Sequence, residues 1–329
     1  MGNFSGNAGT KNSLISQLKM SLLSVVIGLL GAVVGSAFSH TLTGVAHLRE
    51  AAGWLIFLLP LGGIATVGLY RLCRITDHSG TNHILRSALD NGPIRALNAP
   101  AIFVSTAITH LLGGSAGKEG AAIQLGGAGA SALADLFRLK DRERTVLILS
   151  GMSAVFAGVF GTPFTAAIFI LEFRSSLPFF ALLPCLISSI IASQGASWLG
   201  VAGESVHVVG QFAFTLPTVA RLLLLAICLC AVGALMCLVF HKGEHLAQSW
   251  IRNPYLRIVI GSVAVILLTL LVGDMRYNGP GMHMALGAVE GHAQWYDFLL
   301  KMLFTAITLS AGFKGGEIVP TFCIGATFG

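Results

Sequence analysis

Gly113-Gly114-Ser115-Ala116-Gly117-Lys118-Glu119-Gly120-Ala121-Ala122-Ile123-Gln124-Leu125 sets a lysine and a glutamate side by side in a chain otherwise composed for lipid. A charge at the centre of a bilayer costs roughly 2.5–3.5 kcal/mol on insertion scales, so such residues face a water-filled path or a partner. Whether this stretch carries function therefore turns on whether the chain around it spans a membrane.

Composition answers that question. Of 329 residues, 54% are apolar and only 10% charged, with a mean hydropathy of +0.80, whereas a soluble domain carries about 25% charged residues. The net charge of +6 comes without a dense Lys/Arg run, which assigns it to positive-inside loops and excludes nucleic acid as a partner. Candidate cytoplasmic loops hold Arg71 with Arg74, the group Arg138, Lys140, Arg142 and Arg144, and Lys242 with Arg252 and Arg257. Cys185, Cys228, Cys230 and Cys237 lie in apolar stretches and Cys73 and Cys323 beside polar ones. No pair has zinc-ligand spacing, so all six read as buried apolar side chains and no metal or other cofactor is expected.

Residues 1–19 form a polar N-terminal segment expected on the cytoplasmic side. The uncharged run Met20–Phe38 then suits a first transmembrane helix and is too long for a signal-peptide core. Apolar stretches follow at Trp54–Leu72, Ala96–Leu112, Thr145–Phe160, Pro163–Phe173, Leu177–Leu199, Pro217–Phe240, Ile258–Val272 and Phe298–Ala311. Several are short or broken, as at Gly161-Thr162-Pro163, and interrupted helices in two halves of a chain point to a transporter with its site near the midplane. The halves are taken as residues 20–200 and 201–329. Forty glycines let helices approach closely and backbone bend around a cavity.

Three polar, glycine-rich breaks stand out: Asp77-His78-Ser79-Gly80-Thr81-Asn82-His83, Gly117-Lys118-Glu119-Gly120, and Gly312-Phe313-Lys314-Gly315-Gly316-Glu317-Ile318-Val319-Pro320. Each precedes a helix-favouring segment and so presents free backbone N–H groups, which bind anions. Magnitudes favour such dipoles over a full cation as the main ligand. A lysine held against a dehydrated anion traps it, whereas helix-end partial charges worth roughly 0.3–2 kcal/mol each let it leave. Ser79 supplies a hydroxyl.

These residues resemble the CLC chloride channels and proton-coupled anion antiporters. Gly117-Lys118-Glu119-Gly120-Ala121 is similar to that family's Gly-Arg/Lys-Glu-Gly-Pro motif, with Gln124 and Gly126-Gly127 continuing the match. His78-Ser79-Gly80-Thr81-Asn82 resembles a diverged Gly-Ser-Gly-Ile-Pro, Gly315-Gly316-Glu317-Ile318-Val319-Pro320 the Gly-x-Phe-x-Pro element, and Phe160-Gly161-Thr162-Pro163 the Asn-Ala-Pro turn. The resemblance implies an all-α polytopic membrane protein with inverted-topology repeats and broken, re-entrant helices. It also implies a homodimer with one pore per subunit, in a bacterial plasma membrane. Glu119 would be the gating glutamate, competing with anions for the pore and swinging away on protonation. Ser79 and the amides of Glu317 and Ile318 would line a central anion site. The amides after Gly117 would line an outer one. Anion-binding positions are then Ser79, Gly80, Gly117, Lys118, Gly120, Gly316, Glu317 and Ile318, and the partners are chloride or another small monovalent anion, protons and the lipid bilayer.

The chain departs from the family pattern at Ala121 for proline, at Ile318 for phenylalanine with Glu317 beside it, and at Phe173 for the inner proton-transfer glutamate, Glu172 being one residue earlier. It also ends at Gly329, about ten residues into the helix after Pro320, where family members continue and supply an anion-coordinating tyrosine. A truncated member is expected on that ground. A fluoride-exporting branch carries a Gly-Gly-Glu resembling Gly315-Gly316-Glu317 but replaces the pore serine. Retention of Ser79 favours chloride, with fluoride the alternative.

Blander readings stand beside these. Glu119 would pair with Lys118 as a structural ion pair, Ser79 would cap a helix, and Glu317 would cap a helix or pair with Lys314. His110, His241, His245 and His283 lack ligand spacing and read as loop or interfacial residues. Gly113-Gly114-Ser115-Ala116-Gly117 matches Gly-x-Ser-x-Gly with His110 nearby, but an intramembrane serine hydrolase needs a strand before the serine. A phosphate loop needs Ser or Thr where Glu119 stands. A permease, not an enzyme, is the expectation, with a non-conducting membrane scaffold the remaining alternative.

Overall fold

The structure, a computed structural model, describes residues 6–75, 80–90, 92–139, 141–172, 179–203 and 215–329. Asp77, His78 and Ser79 of the first polar break, Lys140 and Phe173 lie outside the described residues. The protein is all-α. Its helices are α1 (Gly6–Ala51), α2 (Leu59–Leu72, entered through a 3-10 turn at Gly53–Leu58), α3 (Thr81–Leu89), α4 (Asn98–Leu111), α5 (Glu119–Leu136), α6 (Asp141–Phe160), α7 (Pro163–Glu172), α8 (Phe179–Trp198), α9 (Leu216–Trp250), α10 (Pro254–Val272), α11 (Met282–Val289), α12 (Asp297–Ala311) and α13 (Ile318–Phe328).

Six of these stretches, among the described residues, are long and apolar enough to cross a membrane: Leu18–Ala51, Gly53–Leu72, Asp141–Phe160, Phe180–Trp198, Leu216–Trp250 and Pro254–Val272. The others are shorter or less apolar. Helix α1 overruns the expected Met20–Phe38 at both ends, starting inside the N-terminal segment and continuing to Ala51. Neither side holds a proline to stop it, and a lone Gly44 costs a helix only about 1 kcal/mol. Where stop signals exist they act: α7 and α10 open on Pro163 and Pro254, the Asn253 side chain accepts from the Tyr255 amide at 3.0 Å, and α10 ends on left-handed Gly273.

Two compact units are drawn from interleaved segments. The first takes Met1–Thr41, Ile75–Phe103 and Ala122–Glu204, and the second Leu42–Arg74, Val104–Ala121 and Ser205–Gly329. In the first, α6 is buried along nearly its whole length and meets α5 at backbone distance. A Cβ on Gly126 would lie 2.1 Å from the Gly151 carbonyl oxygen, a contact that requires glycine. In the second, α2, α10, α12 and α13 gather around Leu59, Ile258, Tyr277, Phe304, Phe313 and Cys323, all buried. Helix α9 presents exposed apolar residues such as Leu223, Leu224 and Ile227. Cys230 and Cys237 share that exposure, a correction to reading every cysteine as buried; Cys185 and Cys323 are buried.

Candidate anion site at paired helix starts

Within the second unit the chain makes the same turn twice. Helix α4 closes on Gly113, whose φ of 84° is left-handed, and α12 on Gly312 at 108°, a conformation only glycine adopts cheaply. Four residues beyond each lies a second glycine, Gly117 or Gly316, and six beyond each a helix begins, α5 at Glu119 and α13 at Ile318. The two turns clasp each other. Gly117 N–H donates to the Gly316 carbonyl at 2.7 Å and Gly316 N–H to the Gly117 carbonyl at 2.8 Å, an antiparallel bridge. Two helix N-termini thereby converge, and their unpaired amides form a ready anion site.

The Glu119 side chain occupies that convergence and is fully buried. Its Oε1 accepts from the Val319 amide at 2.9 Å, and the amides of Lys118, Glu119 and Ile318 also reach the carboxylate. Its Oε2 is buried without a hydrogen-bond partner among the described residues. The bridge glycines make the room: a Cβ on Gly117 would fall 2.2 Å from Glu119 Oε2, and one on Gly316 2.5 Å from its Cδ and 2.8 Å from the Gly120 amide nitrogen.

Polar side chains fix the first turn. Asn278 Nδ2 donates to the Gly113 carbonyl at 2.7 Å, Gly279 N–H to that of Gly114 at 3.1 Å, and the Ser115 amide to Thr308 Oγ1 at 3.1 Å. His110 Nε2 lies 3.3 Å from the Gly117 carbonyl. Since that oxygen only accepts, Nε2 carries the proton. The His110 carbonyl in turn accepts from the buried Arg49 at 3.0 Å. Lys301 on α12 is fully buried and donates to Ser115 Oγ at 2.9 Å, the Tyr277 carbonyl at 3.1 Å and the Gly279 carbonyl at 2.7 Å. Farther out, Tyr277 Oη and Arg276 both donate to Asp297 Oδ1, at 2.5 and 2.7 Å.

Of the residues singled out from sequence, Gly117, Lys118, Glu119, Gly120, Gly316, Glu317 and Ile318 come together here. Gly80 lies in the first unit as the left-handed residue before α3, and Ser79 is outside the described residues. The carboxylate reaches Ile318 and Val319, one residue along from the Glu317 and Ile318 pair. Glu317 is exposed and its side chain makes no capping bond; Lys314 instead stacks over Tyr70 at 4.6 Å. His110 is buried, not a loop or interfacial residue. Missed altogether were Lys301, Arg49, Asn278 and Asp297. The signal for Lys301 was present, a lone cation inside the apolar run Phe298–Ala311. The hydrolase reading needs a strand before Ser115, and helix α4 stands there instead; Ser115 Oγ meets Lys301 Nζ and Thr305 Oγ1 at 2.9 Å each.

A protein-family model described as voltage gated chloride channel matches residues 64–329. The chain belongs to the CLC family. It is 35% identical over 317 residues to the "Chloride/fluoride channel protein" of Pseudomonas syringae pv. tomato, covering 92% of this chain and 70% of that one. It is 25% identical over 345 residues to the "H(+)/Cl(-) exchange transporter ClcA" of Vibrio vulnificus, covering 95% and 72%. Among solved structures it superposes on a CLC-type fluoride/proton antiporter with a TM-score of 0.89 at 34% identity, covering 95% of this chain and 80% of that one. A slow cyanobacterial Cl-/H+ antiporter, at 19% identity and a TM-score of 0.69 over 92% of this chain and 76% of that one, shares the fold. As a CLC protein with six candidate spans, the chain is an integral membrane protein.

Proposed function

We propose that this CLC protein moves small monovalent anions across a membrane and that Glu119 is the gate of the path. The observation that carries the reading is the carboxylate lying where two helix N-termini converge, held by Val319 N–H at 2.9 Å. The side chain sits as a tethered anion in a site suited to a free one. An ionised Glu119 takes charge-assisted bonds from these amides. Protonation removes the charge those amides hold, and a proton on the unpartnered Oε2 breaks no existing bond. The neutral side chain then yields the site to an anion, so flux rises as pH falls.

Gly117, Lys118, Gly120, Gly316, Glu317 and Ile318 shape or flank this site in the proposal, with Ser79 and Gly80 at a further anion position. The two like-built turns support reading residues 20–200 and 201–329 as repeats of opposite topology. The proposal includes the bacterial plasma membrane and the homodimer that the family resemblance implies. Chloride is the first substrate proposed. Fluoride in exchange for protons is the second, favoured by Gly315-Gly316-Glu317 and by higher identity to the chloride/fluoride channel protein and the fluoride/proton antiporter than to the chloride exchangers.

Purified protein in vesicles, with chloride and fluoride efflux followed by ion-selective electrodes under an imposed proton gradient, tests both. Efflux of either ion that climbs on acidification, with Glu119→Gln fast at every pH, is the expected result. Identical pH profiles for parent and Glu119→Gln exclude Glu119 as the gate, and no efflux of either ion excludes both proposed substrates.

A further inference from the structure

Lys301 is a lysine with no exposed surface, and the gate as described makes no use of it. Its ammonium has three donors and three acceptors, one hydroxyl and two carbonyls, all neutral. Hydrogen bonding is thus complete, but charge is not balanced. A buried charge lacking a counter-charge is strongly unfavourable even when its hydrogen bonds are made. The charged or titratable groups in electrostatic reach are Arg49 from α1, Glu119 from α5 and Cys323 from α13, with His110 of α4 in reach in turn. Asp297, one turn earlier on α12, is already engaged by Arg276 and Tyr277. Arg49 is a second buried cation with Glu50 acting on it, and Lys118, next to Glu119, is a further cation acting on His110, so Glu119 is the carboxylate that acts on Lys301 itself.

Resting on the gate reading above, we infer that Lys301 is the fixed positive charge against which the Glu119 carboxylate and the permeating anion exchange, and a positioning residue for the turn that carries Glu119. It holds that turn through Ser115 Oγ directly and through Gly279, whose amide bonds the Gly114 carbonyl. With Glu119 ionised, the cation is balanced. Protonating Glu119 removes the balance, and an anion entering the vacated convergence restores it. One buried cation therefore couples proton arrival to anion entry without touching either.

The test uses full-length protein in vesicles: parent, Glu119→Gln, Lys301→Met, Lys301→Gln and Lys301→Arg. Lys301→Gln is included because its amide still donates to the carbonyls, removing charge without orphaning backbone. Neutral variants are expected to move the pH of half-maximal efflux up by about one unit, since the ionised carboxylate loses its favourable charge, and Lys301→Arg to return it toward the parent value. In a Glu119→Gln background, neutralising Lys301 weakens fluoride or chloride binding, measured by calorimetry in detergent, by at least about tenfold. A neutral variant with the parent's pH midpoint and unaltered binding overturns the inference. If parent and Glu119→Gln share one pH profile, the gate reading has failed instead, and the binding arm still decides whether Lys301 favours anions.

Discussion

The turn from Gly113 to Glu119 and the turn from Gly312 to Ile318 have one backbone design and two means of support. The first is tied by polar contacts: Asn278 on Gly113, Ser115 on Thr308 and Lys301, His110 on Gly117. The second is wedged by Phe313, which is 3% exposed and packed among Leu59, Ile258 and Tyr277. Chemistry follows the division. The polar-tied turn opens its helix with Glu119, and the apolar-wedged one opens its helix with Ile318. An ionisable group needs donors and counter-charges fixed in place, because in a low-dielectric site an unpaired charge is costly and a misplaced donor is of little use. The amides it needs, however, come from both turns, so the apolar wedge positions half of the site's ligands.

The largest expected effect strikes that wedge. Phe313→Ala should lower stability by about 3 kcal/mol, the low end for a buried phenylalanine because lipid offers part of the lost contact. Unfolding in mixed detergent would measure it. A loss no greater than that of an exposed control such as Leu271→Ala would show that apolar wedging is not what holds the second turn.

Next comes the acid itself. Hydrogen bonds to a charged group contribute about 1.5–3 kcal/mol, so Glu119→Gln should change the occupancy of the plugged state by roughly 10- to 100-fold. Efflux at alkaline pH should rise toward the parent's acid rate, and the pH profile should flatten. The sign follows from acid weakening the plug: the parent is fastest at low pH, and the variant loses that dependence. A variant that still accelerates on acidification would move the gate elsewhere.

The bridge glycines sharpen the comparison because their neighbours differ. The atoms nearest a methyl at Gly117 are those of the Glu119 carboxylate, the end of a side chain, while one at Gly316 also meets the Gly120 backbone nitrogen at 2.8 Å. Gly316→Ala should therefore cost about 1–3 kcal/mol of stability as overpacking. Gly117→Ala should fold nearly as the parent does, yet display the open-gate efflux of Glu119→Gln. Equal destabilisation by both would mean that the amides hold the carboxylate too rigidly for it to give way to a methyl.

How much of this was legible in the sequence depended on local contrast. Lys118 and Glu119 stood out because two adjacent charges are rare in an apolar chain, and the glycine-flanked helix starts followed from the same stretch. Lys301 carries as much charge but stands alone among apolar neighbours, where hydropathy averages it away. The Gly117–Gly316 clasp was hidden for a different reason, since pairing between distant segments leaves no local signal. Helices α3 and α11, nine and eight residues long, are too short to announce a period. The far end of α1 had no breaker to mark it.

The smallest effect probes a single polar tie. Ser115→Ala removes the hydroxyl that accepts from Lys301 at 2.9 Å and meets Thr305 Oγ1 at 2.9 Å. It leaves the ammonium with two carbonyls and the Ser115 amide with Thr308. With most of the network intact, the loss should be about 1.5 kcal/mol, the low end for a hydrogen bond to a charged group. The positive charge of Lys301 stays in place, so the pH profile of efflux should keep its shape, separating the tie's mechanical part from the cation's electrostatic one. A loss as large as that of Phe313→Ala would break the comparison, because the first turn would then depend on one hydroxyl and not on a distributed set of ties.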